Sequence, residues 1–221
     1  MIYFFADNHY GTNPGKVIFE HLPQNWRSRI RFFLDEWDFL ENGDWNQTCT
    51  LLILHMIGST CGQPHPGPGA EKRVREYLER GGNTLLLHGA SAAFWQWSWW
   101  RELPGERWVR PQDPDGGRTS THPVKPYVVE VSSTRHPLAK RLNPMELPED
   151  EIYIRLENTC PCMRLMETRI EEGTFVQCSE SITPWGGKMV SFLPGHKPEV
   201  TSNPAVIENI TAILDYLTVP R

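Results

Sequence analysis

The sequence predicts an α/β protein whose parallel sheet is covered by helices on both faces. Three observations carry that reading. Short apolar runs of strand length recur at 2–6 (IYFFA), 29–34 (RIRFFL), 50–57 (TLLILHMI) and 84–88 (TLLLH). Segments with helical spacing lie between them, at 15–22 and 70–82. TLLILHMI is apolar almost throughout, as a strand covered on both faces is. Strands and helices that alternate in this way build a parallel sheet with helices packed on either side.

Each element follows from its own residues. IYFFA runs into the polar loop Asp7-Asn8-His9-Tyr10-Gly11. GKVIFEHL sets Val17, Ile18 and Leu22 at helical spacing. AEKRVREYLERGG turns Val74, Tyr77 and Leu78 inward, with Gly81 as its stop. The strand at 84–88 leads directly into His88-Gly89-Ala90-Ser91 and then a helix-like pattern of Ala and Trp. In the second half, 104–123 is rich in Pro, Gly and Asp and reads as a long loop. YVVEV alternates as a strand, RHPLAKRL reads as a short helical turn, and EIYIRL, MRLMETRI and TFVQCS read as strands of a small β-rich excursion. KMVSFLPGH is a strand ending in Gly195-His196. Asn203 caps the final helix, with Pro204 at its first position.

At 221 residues the chain reads as one domain, 1–221, able to bury roughly 70% of its unfolded surface. Its formal charge of −5 argues against a nucleic-acid partner, which would need a basic face. The start of the chain has no basic segment followed by an apolar core, and no run is long enough to span a membrane. A cytoplasmic protein without a membrane partner is therefore expected. Five cysteines, an odd number, fit a reducing compartment. Cys160-Pro161-Cys162 lacks the spacing and companions of a zinc knuckle and reads as a loop or strand start.

The candidate chemistry sits at strand ends. His9, His88 and His196 each follow an apolar strand, so in a parallel sheet all three fall on the carboxyl edge, where α/β folds bind ligands. The strand–turn–helix device at His88 carries a nucleophile in other enzymes. An imidazole there leaves a base, an acid or a metal ligand. His88 and His196 are the candidate ligands of a divalent metal. Asp150 and Glu151 could orient an imidazole or share protons with it. His122-Pro123 and His136-Pro137 flank one strand and serve equally well as turn residues. Trp95, Trp97, Trp99 and Trp100 read as packing more than as a sugar platform, while Trp185 in TPWGGK is a candidate for lining a pocket. No glycine-rich nucleotide loop, G-x-S-x-G or H-E-x-x-H occurs, which leaves nucleotide cofactors and those hydrolase classes without support.

GGNTLLLHGASAAFWQWSWWRELPG resembles the trehalose-utilisation (ThuA-like) family. The resemblance continues in order through THPVKPYVVEV, RHPLAKRLNPMELPEDEIY, TPWGGKMVSFLPGH and the closing helix, and is strongest over 77–217. It implies a three-layer α/β/α flavodoxin-like fold of the class I glutamine amidotransferase-like kind, and a link to disaccharide or other sugar metabolism. The amidotransferases hold a catalytic Cys at the position of His88, so glutaminase activity is not implied. The resemblance carries over His88, His122, Asp150, Glu151 and His196 as the pocket; His9 is added by its strand-end position. The chain departs from the family in a longer, more polar segment before His122 and a shorter one before Trp185.

Three readings follow. The first is an enzyme acting on a sugar or sugar-derived carbonyl compound, with His88 and His196 as acid–base groups or metal ligands, Glu151 as a catalytic carboxylate that orients them or shares protons, and His9, His122, Asp150 and Trp185 binding substrate. The second is a non-catalytic sugar-binding or regulatory protein. The third is a subunit of a homo-oligomer that uses the Trp-rich segment as its interface.

Overall fold

The first strand shows how the layers form. Ile2, Phe4 and Ala6 point to one side of the sheet and Tyr3 and Phe5 to the other, as period-two backbone requires, and all five are buried. The computed structural model describes residues 1–113, 117–132 and 135–219. Its strands are β1 (Ile2–Ala6), β2 (Ile30–Leu34), β3 (Leu51–His55), β4 (Asn83–Leu87), β5 (Glu106–Arg107), β6 (Val124–Val131), β7 (Met145–Glu151), β8 (Glu157–Asn158), β9 (Cys162–Ile170), β10 (Gly173–Ile182) and β11 (Lys188–Phe192). Its helices are α1 (Pro14–His21), α2 (Gln24–Arg27), α3 (Trp37–Asn42), α4 (Trp45–Thr48), α5 (Pro68–Glu79), α6 (Pro198–Thr201) and α7 (Pro204–Thr218).

Nine strands form one sheet in the order β2-β1-β3-β4-β11-β10-β9-β6-β7. The first five are mutually parallel. On one face α1, α2, α6 and α7 bury Ile18, Trp26, Val200, Ile210 and Leu214 against Phe4, Ile53, Leu87 and Phe192. On the other, α3 to α5 and the Trp-rich segment bury Leu40, Trp45, Val74, Tyr77 and Trp100 against Phe5, Leu54 and Leu86. The three-layer α/β/α arrangement is as the sequence leads one to expect. Asn203 caps α7 by accepting the N–H of Ala205 at 2.9 Å. Among the described residues no helix is long and apolar enough to cross a membrane.

Three details differ from the sequence reading. The β-rich second half is an antiparallel extension of the main sheet, because β10 pairs directly with β11. Beyond His88 the chain forms 3₁₀ turns at His88–Ala92 and Trp100–Glu102, with no α-helix. Phe94, Trp97 and Trp100 recur every third residue, the spacing that three-residue turns place on one side, and they pack together in the core. EIYIRL is not a strand beyond its first residue. The paired segment is β7, whose alternation of buried Met145 and Leu147 is broken by Pro148 opposite an irregularity in β6; Ile154 retains only a single bridge to Thr121.

Helix α1 sits close on the strand ends. A Cβ on Gly15 would lie 2.6 Å from Ala6 Cβ and 3.0 Å from His55 Cβ, so the absence of a side chain sets this approach. Gly15→Ala should therefore lower stability by about 1–3 kcal/mol through overpacking. Chemical denaturation checks this, and an unchanged midpoint would contradict the described seating of α1.

Candidate functional site

Parallel strands deliver their carboxyl ends to one edge, and in this chain four of those ends carry imidazoles. His9 follows β1, His55 closes β3, His88 follows β4 and His196 lies in the turn after β11. The rings meet. Centroids are 5.5 Å apart for His9 and His55, 6.0 Å for His55 and His88, 5.3 Å for His88 and His196, and 6.3 Å for His9 and His196. Of the four only His196 has appreciable solvent access. His88 adopts a φ of +45°, in the left-handed region a residue with a Cβ rarely enters. Such strain persists where surrounding packing enforces it, and it concentrates at functional sites.

Hydrogen bonds fix the His88 tautomer. Its Nδ1 lies 2.8 Å from the Leu193 carbonyl oxygen, which can only accept, so Nδ1 carries the proton. In a neutral ring Nε2 is then a lone pair that can accept from the Tyr153 hydroxyl, 3.0 Å away. Glu151 Oε2 stands 3.5 Å from His88 Nε2 and 3.9 Å from His196 Nδ1, and Oε1 stands 3.4 Å from His122 Nδ1. His88, Glu151 and His196 each offer a donor atom within 4.8 Å of the others, close enough to share one cation.

Electrostatics follow from this crowding. Burial works against ionisation of Glu151, but the protonated forms of its neighbours outweigh it, His88 through a hydrogen bond and charge and His196 and His122 through charge, and hold the carboxyl below its usual range. Burial pushes His196 down, and its neighbour His88 adds to the effect. Burial also pushes His55 well down, reinforced by His9 and His88.

Asp150 and Asp7 build the frame. Asp150, fully buried, accepts the N–H groups of Gly195 and His196 on Oδ2 and of Lys197 on Oδ1, at 2.9–3.1 Å. It holds the turn that presents His196 and is not among the residues that line the cavity in front of Glu151. Gly195, at φ +126°, supplies a conformation that L side chains rarely adopt. Asp7 Oδ1 lies 2.5 Å from His9 Nδ1, while Oδ2 accepts the N–H groups of Ile57 and Gly58. His9 is fully buried behind His196 and does not line the cavity.

The cavity in front of Glu151 measures about 470 Å³, a size common among small-molecule sites. His122, Tyr153, Trp108, Trp95 and Arg110 line it with Glu151. Trp97 and Trp100 are packed in the core, whereas Trp95 opens onto the cavity. Trp185 lies just before β11, at the opposite edge of the sheet, and packs on the α5-side core. His136 faces Glu180 and Tyr216, away from the site. Cys160 donates to the Leu103 carbonyl and Cys162 opens β9.

Sequence reasoning passed over His55, Asp7, Tyr153, Trp95 and Trp108 as site residues. His55 obeys the same strand-end rule as its neighbours, but TLLILHMI reads as a strand through residue 57 and hides where pairing stops. Tyr153 closes the DEIY string that carries part of the resemblance, but nothing local shows that the chain leaving β7 brings it to His88.

Comparison with known proteins agrees with this architecture. In structure the chain is similar to a ThuA-like protein from Parabacteroides merdae, with a TM-score of 0.77 at 15% identity over 99% of this chain and 89% of that one. It is also similar to a ThuA-like protein from Bacteroides uniformis, with a TM-score of 0.67 at 13% identity over 98% and 91%. No curated protein matches it in sequence. The family model described as ThuA, trehalose utilisation, matches residues 8–217. The chain belongs to the ThuA family, linked to trehalose utilisation.

Proposed function

We propose that this protein is an enzyme of carbohydrate utilisation that processes a sugar or sugar-derived carbonyl compound in the cavity at the carboxyl edge of its sheet. One observation carries the reading: an ionised carboxylate, Glu151, faces three imidazoles at the wall of a cavity with Trp95 and Trp108 on its sides. Aromatic faces suit the C–H faces of sugar rings, and a charged carboxylate beside a neutral imidazole suits proton transfer. In this scheme Glu151 takes a proton from the bound compound. His88, with its Nδ1 proton held by the Leu193 carbonyl, accepts from the Tyr153 hydroxyl and so holds that oxygen at the cavity wall as an acceptor for a sugar hydroxyl. His122 holds the second carboxylate oxygen.

The catalytic and the binding-only readings separate in one pair of variants. Against a panel of disaccharides and keto-sugars, Glu151→Gln should lower turnover by about 10²–10⁴-fold while ligand binding survives. Trp95→Ala should weaken binding itself. Saturable sugar binding without turnover by the unmodified protein would establish the binding-only reading. Absence of both would overturn the sugar assignment.

The imidazoles also set the acid response. His55 and His196 are held neutral in the folded chain below the pH at which they protonate when unfolded, about 6.5. The unfolded state then binds more protons, so stability falls as pH drops below about 6.5. Glu151 acts in the same direction at lower pH: its depressed folded value gives stability present above about pH 4.5 and lost beneath it. Denaturation midpoints of chelator-treated protein should decrease from pH 7.5 to 5.5, and less so in His55→Leu. A flat profile would contradict the described burial.

A further inference from the structure

We infer that His88, Glu151 and His196 form a divalent-metal site, with His88 Nε2, Glu151 Oε2 and His196 Nδ1 as the ligand atoms. The inference deepens the proposed function by assigning its central side chains to a cation, and it rests on that reading only for the metal's use, not for its binding.

Four features of the geometry support the assignment. The donor atoms already lie within 4.8 Å of one another, so modest side-chain adjustment brings them around one ion. The Leu193 carbonyl keeps a His88 proton on Nδ1, which leaves Nε2, 3.5 Å from Glu151 Oε2, as the nitrogen available to a cation. A ligating histidine in proteins almost always makes this kind of outer hydrogen bond. The other ligands are oriented likewise. Asp150 fixes the backbone of His196 through three N–H groups around it, and His122 engages the Glu151 oxygen that does not face the two histidines. The ligands also come from three separate segments, so the site forms only when the chain is folded.

The donor set selects the ion and its purpose. Two imidazoles and a carboxylate suit zinc, manganese, iron, cobalt or nickel, and no thiol is among them to favour a softer ion. Three protein ligands leave coordination positions open, as catalytic sites do and closed structural sites do not. The open side faces the cavity, since Glu151 is among its lining residues and His88 is buried beneath. Tyr153 then acts as a positioning residue. Its hydroxyl, 3.0 Å from His88 Nε2, turns from the imidazole once that lone pair is committed, and donates to an oxygen held in an open position.

The test uses the metal alone. The 221-residue chain is stripped with chelator, dialysed, and titrated separately with zinc and manganese by calorimetry, with bound metal counted by elemental analysis. One equivalent per chain is expected for at least one ion. Glu151→Gln and His196→Gln should each weaken binding at least tenfold, and His21→Gln, an exposed histidine on α1, should leave it unchanged. Each variant is first shown to fold by circular dichroism and melting. A cobalt titration gives an independent readout, as ligation by this site produces visible absorption bands that Glu151→Gln alters. No saturable binding of either ion below millimolar concentration, or binding unaffected by both ligand variants, overturns the assignment. Failure of the sugar panel alongside one bound equivalent would remove the sugar reading and leave the metal site standing.

Discussion

The carboxylate of Asp150 accepts three backbone N–H groups from the turn after β11, and the arrangement of the site depends on that clamp. Asp150 belongs to the antiparallel half of the sheet and the turn belongs to the parallel half. Joining them places the next residue, Glu151, against His88 and His196. Hydrogen bonds to a charged acceptor contribute about 1.5–3 kcal/mol each, and a buried carboxylate without them would carry a large desolvation cost. The clamp is thus both favourable and obligatory: once Asp150 is buried, the turn has to close on it. Asp7 repeats the device at the other side of the cluster, with one oxygen on His9 and the other on two backbone N–H groups after β3.

A second constraint follows from concentrating imidazoles in a water-poor space. Four rings within about 6 Å of their neighbours cannot all be protonated, because burial and mutual repulsion both oppose it. The neutral forms that result are the ones that act as bases and bind cations. Glu151 moves the opposite way and stays ionised. The site therefore holds Glu151 ionised and His55 and His196 uncharged near neutral pH, a state suited to accepting a proton or a metal. His88 strengthens the point, since its left-handed backbone shows that packing has overridden a local preference to deliver this one side chain.

The layers and the parallel core were legible in the sequence because strand-length apolar runs and period-3.6 burial patterns are local. IYFFA and TLLLH are short and almost wholly apolar, as strands covered on both faces are, and the α5 segment declares its helical period within a few residues. The strand-end rule brought out His9, His88 and His196, their need for carboxylates pointed to Asp150 and Glu151, and the family resemblance gathered Asp150, Glu151, His122, His88 and His196 into one pocket. Other features depend on long-range contacts that leave no local trace. Tyr153 reaches His88 across 65 positions, and Asp150 reaches the 195–197 turn across about 45. MELPEDE hides a strand behind a proline and acidic residues, while the aromatic spacing after His88 suits three-residue turns as readily as a helix. Trp185 shows the converse error: an aromatic beside glycines before a strand suggests a pocket, but it enters the sheet at the edge opposite the site.

The most direct test of this account is the protonation pattern of the cluster, read by long-range proton–nitrogen correlation spectra of metal-free protein at neutral pH. The proton-transfer and metal-binding roles require the His88 proton on Nδ1, given to the Leu193 carbonyl, with Nε2 unprotonated where it faces Tyr153 and Glu151. Observation of that tautomer would support the arrangement on which both the proton-transfer and metal-binding roles rest. A His88 protonated on Nε2, or on both nitrogens, would contradict it.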